Sequence, residues 1–100
     1  MSNVKKVMGF RTGDFYDSKA GKNRHFVHLY AFFPDDSVTG LRAEVFKCVS
    51  DDVLDGVTYG QFVELYFNEY QKVSFINSIE PTKEIKQAFY ESDSYEVVED

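Results

Sequence analysis

Aromatic and basic side chains alternate along one stretch of the chain, GKNRHFVHLYAFF, which spans residues 21–33. Read as a β-strand with a period of two, this stretch directs Val27 and Leu29 to one face and the chemically active side chains to the other. The second face carries Arg24, Phe26, His28 and Tyr30. Aromatic rings stack on nucleic-acid bases and cations contact phosphates, so this face fits a flat, anionic ligand. The alternative is a strand that is buried on both faces.

Catalysis has little support in the sequence. His25 and His28 are three residues apart on a predicted strand, so they point to opposite faces and do not share a metal ion. The paired aspartates at 35–36 and 51–52 fall in predicted turns, where aspartate is common because of its local hydrogen bonds. No nucleophile elbow, phosphate-binding loop or dinucleotide fingerprint occurs. We therefore expect a protein without enzymatic activity, cofactor or bound metal.

The length and composition predict one soluble domain. A chain of 100 residues in which 43% are hydrophobic can build one core without disulfides, and the single Cys48 is expected to be a buried strand residue. No apolar run approaches the ~20 residues of a membrane helix, and no signal-type segment follows the first residues. We expect the protein in the cytoplasm of a host cell, away from membranes.

The charge of the chain is unevenly distributed. The net charge is −6, but residues 81–100 hold six acidic side chains and two lysines, which leaves the rest close to neutral. A nearly neutral body can still carry a local basic groove. Ile85, Ala88 and Phe89 have the spacing of a short amphipathic helix, and an acidic, flexible tail is expected after it.

Turn signals divide the chain into five predicted β-segments. They cover residues 4–10, 21–33, 41–49, 61–67 and 72–79. Residues 11–23 between the first two read as a long hairpin loop or a bent connection, and a short helical turn is expected after Ser50. This all-β pattern fits a small five-stranded OB-fold-like barrel better than an SH3-like barrel or a curved open sheet. We place the binding domain at residues 1–81 and the helix with its acidic tail at 82–100.

More aromatic residues are present than a barrel of this size needs. The expected core is Val7, Val27, Leu29, Val45, Val63, Leu65, Phe67, Val73, Phe75 and Ile79. Phe26, Tyr30, Tyr66 and Tyr70 are then left over, and Phe15 and Tyr16 form a second group beside Arg11, Lys19 and Lys22. Aromatic strand residues usually pack against neighbouring strands. Rings from three segments, each contributing ~1–3 kcal/mol when a base stacks on it, would nevertheless form a binding platform.

The order of these segments resembles the gene V protein family of filamentous phages and related single-stranded DNA-binding proteins of phages and plasmids. The resemblance covers about residues 3–81 and is carried by Gly21-Lys22 before the aromatic-basic strand, by GQFVEL at 60–65, and by the late hairpin with Tyr70 near its tip. It implies an OB-fold homodimer that coats single-stranded DNA without catalysis. The DNA-binding residues that it implies are Lys22, Arg24, Phe26, His28, Tyr30, Arg42 and Tyr70.

Two features depart from that family. The body is less basic than a typical DNA binder, which predicts weaker or more salt-sensitive binding. The acidic C-terminal segment is an addition, and it either competes with DNA, recruits replication proteins or is simply solvated.

Two hypotheses follow. The first is a sequence-tolerant single-stranded DNA-binding protein that acts in phage or plasmid replication. The second is a small acidic protein-interaction module, for example an inhibitor of a host nucleic-acid enzyme, which the net charge of −6 favours.

Overall fold

The computed structural model describes residues 4–91 and confirms the predicted all-β class. Five strands form one antiparallel sheet, and two short helices complete the described chain. The strands are β1 (Val4–Asp17), β2 (Lys22–Pro34), β3 (Leu41–Lys47), β4 (Phe62–Phe67) and β5 (Val73–Ser78). A 3-10 helix, Asp51–Leu54, supplies the helical turn expected after Ser50, and α1 is Lys83–Ala88.

The strands lie in the order β3-β2-β1-β4-β5, so β3 and β5 are the outer strands of the sheet. The end of β3 nevertheless reaches the start of β5. Cys48 and Val73 form an isolated parallel bridge, and the Val49 N–H donates to the Val73 carbonyl oxygen at 3.0 Å. The sheet therefore curls until its two outer strands meet at this point. Beyond this bridge, closure into an OB-fold-like barrel stays a prediction.

The first two strands are much longer than the others and extend beyond them. β4 pairs with β1 only at Val4–Lys6, and β3 pairs with β2 only from His28 to Pro34. Residues 11–17 and 22–26 therefore form a two-stranded ribbon, here called the β1–β2 arm. Of the two alternatives for residues 11–23, the long hairpin loop is wrong for most of its length, because both strands continue in register to the pair Asp17–Lys22.

The turn at the end of the arm has a local explanation. Asp17 Oδ1 accepts hydrogen bonds from the backbone N–H groups of Lys19 and Ala20, at 3.0 and 3.2 Å. Gly21 follows with φ of 68°, a left-handed conformation that glycine adopts without strain, and its N–H donates to the Asp17 carbonyl. These contacts close the hairpin within four residues.

The main core lies on the face of β2 that the alternation predicted. Of the expected core residues, six are buried: Val7, Val27, Leu29, Val63, Leu65 and Val73. Cys48, Leu54 and Val57 join them from the segments between β3 and β4. The predicted burial of Cys48 is confirmed.

The core prediction is wrong for three of the ten residues, and Ile79 is only partly buried, in a second cluster. Val45, Phe67 and Phe75 are 48%, 42% and 57% exposed. In β3 the register decides this, because Phe46 lies opposite the buried Leu29 and packs against the core, which turns Val45 outward beside Tyr30.

A second cluster forms where α1 packs on the sheet. Phe89 is buried with Val4 and Phe62, and its ring meets that of Phe62 edge-on at a centroid distance of 5.1 Å. The Thr82 hydroxyl caps α1 by accepting a hydrogen bond from the Ile85 N–H at 3.2 Å. The segment after β5 thus packs on the sheet through Phe89. The acidic tail was predicted from residue 90 onward; Glu91 lies within the described residues and forms an ion pair with Lys6, whereas residues 92–100 lie outside them. None of the helices within residues 4–91 has the length and apolar character to cross a membrane.

Candidate nucleic-acid interface

An open groove of about 980 Å³ lies between the β1–β2 arm and the end of β3. Its walls combine side chains from four places in the fold. They include Phe15 of β1, five residues of β2 (Lys22, Arg24, His25, Phe26 and His28), residues 47–52 from the last residue of β3 to the 3-10 helix, and Lys72 at the end of the β4–β5 turn. In an OB-fold, the face of strands 2 and 3 together with the loops β1–β2 and β4–β5 binds oligonucleotides. The groove takes its lining residues from β2, from the segment that follows β3 and from the β4–β5 turn.

Three rings follow one another along one face of the arm and the adjoining part of β2. The centroid of Phe26 is 6.4 Å from that of Phe15 and 4.9 Å from that of His28. The register explains this row, because Phe15 pairs with Arg24 and Gly13 with Phe26, so their side chains share a face. The guanidinium carbon of Arg11 lies 5.3 Å from the Phe26 centroid. This ring row presents π-faces and a cation side by side.

Cations outnumber carboxylates at the groove. Lys22, Arg24, Lys47 and Lys72 line it together with two carboxylates, Asp51 and Asp52. Arg24 is also engaged within the arm, since its Nε lies 2.6 Å from Asp17 Oδ2. That hydrogen bond holds the pKa of the Asp17 carboxyl below its ordinary value. A guanidinium has five N–H donors, so Arg24 keeps donors for a phosphate.

The structure brings together four of the seven predicted binding residues. Lys22, Arg24, Phe26 and His28 line the groove. Tyr30 lies farther along β2, opposite Val45, on the face that His28 shares. Tyr70 stands at the tip of the β4–β5 hairpin, 72% exposed and two residues from Lys72.

Arg42 lies apart from the other six. It pairs with Phe33 in the β2–β3 register, and residues 28 and 30 pair with 47 and 45, so Arg42 is on the opposite face of the sheet from His28 and Tyr30. Its guanidinium lies 2.9 Å from Asp35 Oδ2, and this hydrogen bond is the main cause that lowers the pKa of Asp35 to about 2. Arg42 therefore forms an ion pair with Asp35 at the β2–β3 turn and does not line the groove.

His25 is a groove residue that the sequence reasoning did not select. Its Nδ1 lies 2.8 Å from Asp14 Oδ1 and its Nε2 lies 2.8 Å from Asp51 Oδ1. Because the two carboxylates are at opposite ring nitrogens, the three residues do not share one metal ion, and no His, Cys, Asp or Glu cluster among residues 4–91 has the arrangement of a metal site. The pairing of Asp14 with His25 becomes visible only once the hairpin turn at 18–21 is known.

Cys48 also lines the groove, but its chemistry is that of a core residue. Burial raises the pKa of its thiol to about 11. A thiol that stays protonated at neutral pH is a poor nucleophile, so Cys48 offers no reactive group here.

No protein-family model matches the sequence, and no curated protein or solved structure shows significant similarity to it. The relationship to the gene V protein family therefore stays a prediction.

Proposed function

We propose that this protein is a non-enzymatic, sequence-tolerant single-stranded DNA-binding protein. The observation that carries the proposal is the meeting of three rings and four Lys or Arg side chains at one groove, drawn from the arm, the end of β3 and the β4–β5 hairpin. Rings stack on any base, and cations follow the phosphate backbone, so this combination favours single strands without reading their sequence. A role in phage or plasmid replication, and a homodimer in the host cytoplasm, are added by the resemblance to the gene V family.

The free energy of base stacking on the exposed rings is large enough to give useful affinity. Each stacked base contributes about 1–3 kcal/mol in proteins of this type, so two occupied rings supply about 2–6 kcal/mol. The net charge of −6 opposes binding at long range, but salt at about 0.1 M screens charges that are more than roughly 10 Å apart. The local excess of cations at the groove then decides the sign of the interaction.

The test is fluorescence anisotropy of a labelled oligo-dT, titrated with the protein at low and at physiological salt. Saturable binding that weakens with salt and exceeds binding to a duplex of the same length is the expected result, because the groove offers rings to unpaired bases. No binding at low salt refutes the proposal. That outcome favours the acidic protein-interaction module, and affinity capture with host nucleic-acid enzymes becomes the next step.

Two matched pairs of variants assign the binding to the groove. Phe15 and Phe75 are similarly exposed, at 50% and 57%, but only Phe15 lines the groove. Phe15→Ala is expected to weaken binding about fivefold or more, and Phe75→Ala to leave it unchanged.

Lys72→Gln should reduce the slope of log affinity against log salt by about 0.7, the effect of one lost contact to a single strand. Arg42→Gln should leave that slope as it is.

A further inference from the structure

The β1–β2 arm has few contacts that hold it against the rest of the molecule. Its two strands pair with each other, but the ladders to β4 and β3 end at Lys6 and His28, before the arm begins. An isolated two-stranded hairpin is at best marginally stable in water. The position of the arm beside the groove therefore depends on side-chain contacts.

His25 supplies such a contact, because its ring bridges two elements. Asp14 belongs to the arm, and Asp51 opens the 3-10 helix that follows β3. Each lies 2.8 Å from a different ring nitrogen of His25. A neutral imidazole carries one N–H and donates to one partner, whereas the imidazolium donates to two. The double bridge therefore requires the protonated ring.

We propose that His25 is a positioning residue: its imidazolium ties the β1–β2 arm to the 3-10 helix through Asp14 and Asp51, sets the width of the groove, and makes nucleic-acid binding depend on pH. The effect on binding rests on the proposed function, whereas the bridge itself does not. His25 acts through the arm and need not touch DNA.

The direction of the pH dependence follows from the surroundings of the ring. Hydrogen bonds from His25 to Asp14 and Asp51 raise the pKa of the imidazole. The other charged or titratable side chains at this groove are Lys22, Arg24, His28, Lys47, Cys48, Asp52 and Lys72, and burial raises the pKa of the Cys48 thiol to about 11. A raised folded-state pKa means that the bridge is complete below the ordinary histidine value of about 6.5 and is lost as pH rises through the folded-state value. Alkaline pH therefore releases the arm.

Hydrogen exchange of the free protein measures the bridge directly. Amides of residues 11–17 and 22–26 are followed at about pH 6 and about pH 9, corrected for the chemical pH dependence of exchange. His25→Gln and Asp51→Asn are expected to exchange about two- to fivefold faster than wild type at the lower pH, the size of one exposed ion pair. Wild type should lose protection at the higher pH and His25→Gln should not. Unchanged exchange of β4 amides shows that the variants are folded.

Asp52→Asn is the matched control for Asp51→Asn. It removes the same charge from the same 3-10 helix and from the same groove, but the carboxylate that contacts His25 is that of Asp51. Asp52→Asn is expected to exchange like wild type. Equal exchange in wild type, His25→Gln and Asp51→Asn overturns the proposal.

Oligonucleotide affinity is the second measurement, and it separates the bridge from the proposed function. Weaker binding by Asp51→Asn than by Asp52→Asn supports positioning, since both variants lose one negative charge. Equal or tighter binding by Asp51→Asn, with weaker binding by His25→Gln, indicates direct phosphate contact by His25 and overturns positioning. If no oligonucleotide binds but arm exchange still depends on His25, the proposed function fails and the bridge is supported.

Discussion

Gly13 lies directly beneath the ring of Phe26, and this contact sets the middle of the ring row. A Cβ atom on Gly13 would be 2.6 Å from Phe26 Cζ, far inside contact distance. Gly13→Ala must therefore displace the ring. We expect a loss of about 1 kcal/mol in the free energy of unfolding, the low end of overpacking costs because the ring is half-buried and can move. Oligo-dT binding should weaken as well. Urea unfolding and fluorescence anisotropy measure the two effects.

Gly9→Ala is the control on the same strand. A Cβ atom there meets nothing within 4 Å, so this variant should be neutral or slightly more stable, since alanine restricts the unfolded chain. If the two variants behave alike in both measurements, the position of the Phe26 ring is irrelevant to stability and to binding.

At the scale of the elements, α1 is held on the sheet chiefly by the buried side chain of Phe89, the residue that caps its C-terminal end. A helix of six residues is too short to be stable alone, and Phe89, 4% exposed, packs against both Phe62 and Phe32. Phe89→Ala should cost about 3 kcal/mol in the free energy of unfolding, measured by urea denaturation. Tyr90→Ala changes the adjacent aromatic residue, which is 72% exposed, and should cost little. A small effect of both would mean that α1 contributes nothing to the body.

The strands show what alternation in the sequence can predict. In β2 alternation placed Val27 and Leu29 on one face, and both are buried. In β3 both faces carry apolar residues, so alternation alone does not choose between Val45 and Phe46. The β2–β3 register places Phe46 opposite the buried Leu29 and so determines that Phe46 faces the core, and this register depends on the β2–β3 turn.

The arm and the groove could be predicted only in part. The polar and glycine-containing residues 11–17 resemble a loop because both sides of a free ribbon face solvent, and only their pairing with β2 makes them a strand. Lys22, Arg24, Phe26 and His28 come from one stretch, so the sequence could group them. Lys72 and Asp51 reach the same groove because the sheet curls at the Cys48–Val73 bridge, which no local pattern encodes.

At the scale of the whole molecule, an acidic chain presents a groove with more cations than carboxylates. Four lysine or arginine side chains and two aspartates line it, although the net charge is −6. Much of that charge lies at the C-terminus, since residues 92–100 contain four acidic side chains and no basic one. The field of the whole protein and the field of the groove thus have opposite signs, and salt weakens the more distant contribution first.

Removing residues 92–100 changes the net charge from −6 to −2 and tests this balance. We expect the truncated protein to bind oligo-dT more tightly than the full chain at low salt, because long-range repulsion is reduced. The difference should shrink as salt approaches about 1 M, where the screening length is about 3 Å. Both affinities are read by anisotropy across a salt series. A full-length variant with Asp93, Glu96, Glu99 and Asp100 changed to the corresponding amides is the control, and it should match the truncation. If the truncation tightens binding and the amide variant does not, the segment acts by occupying space rather than by its charge.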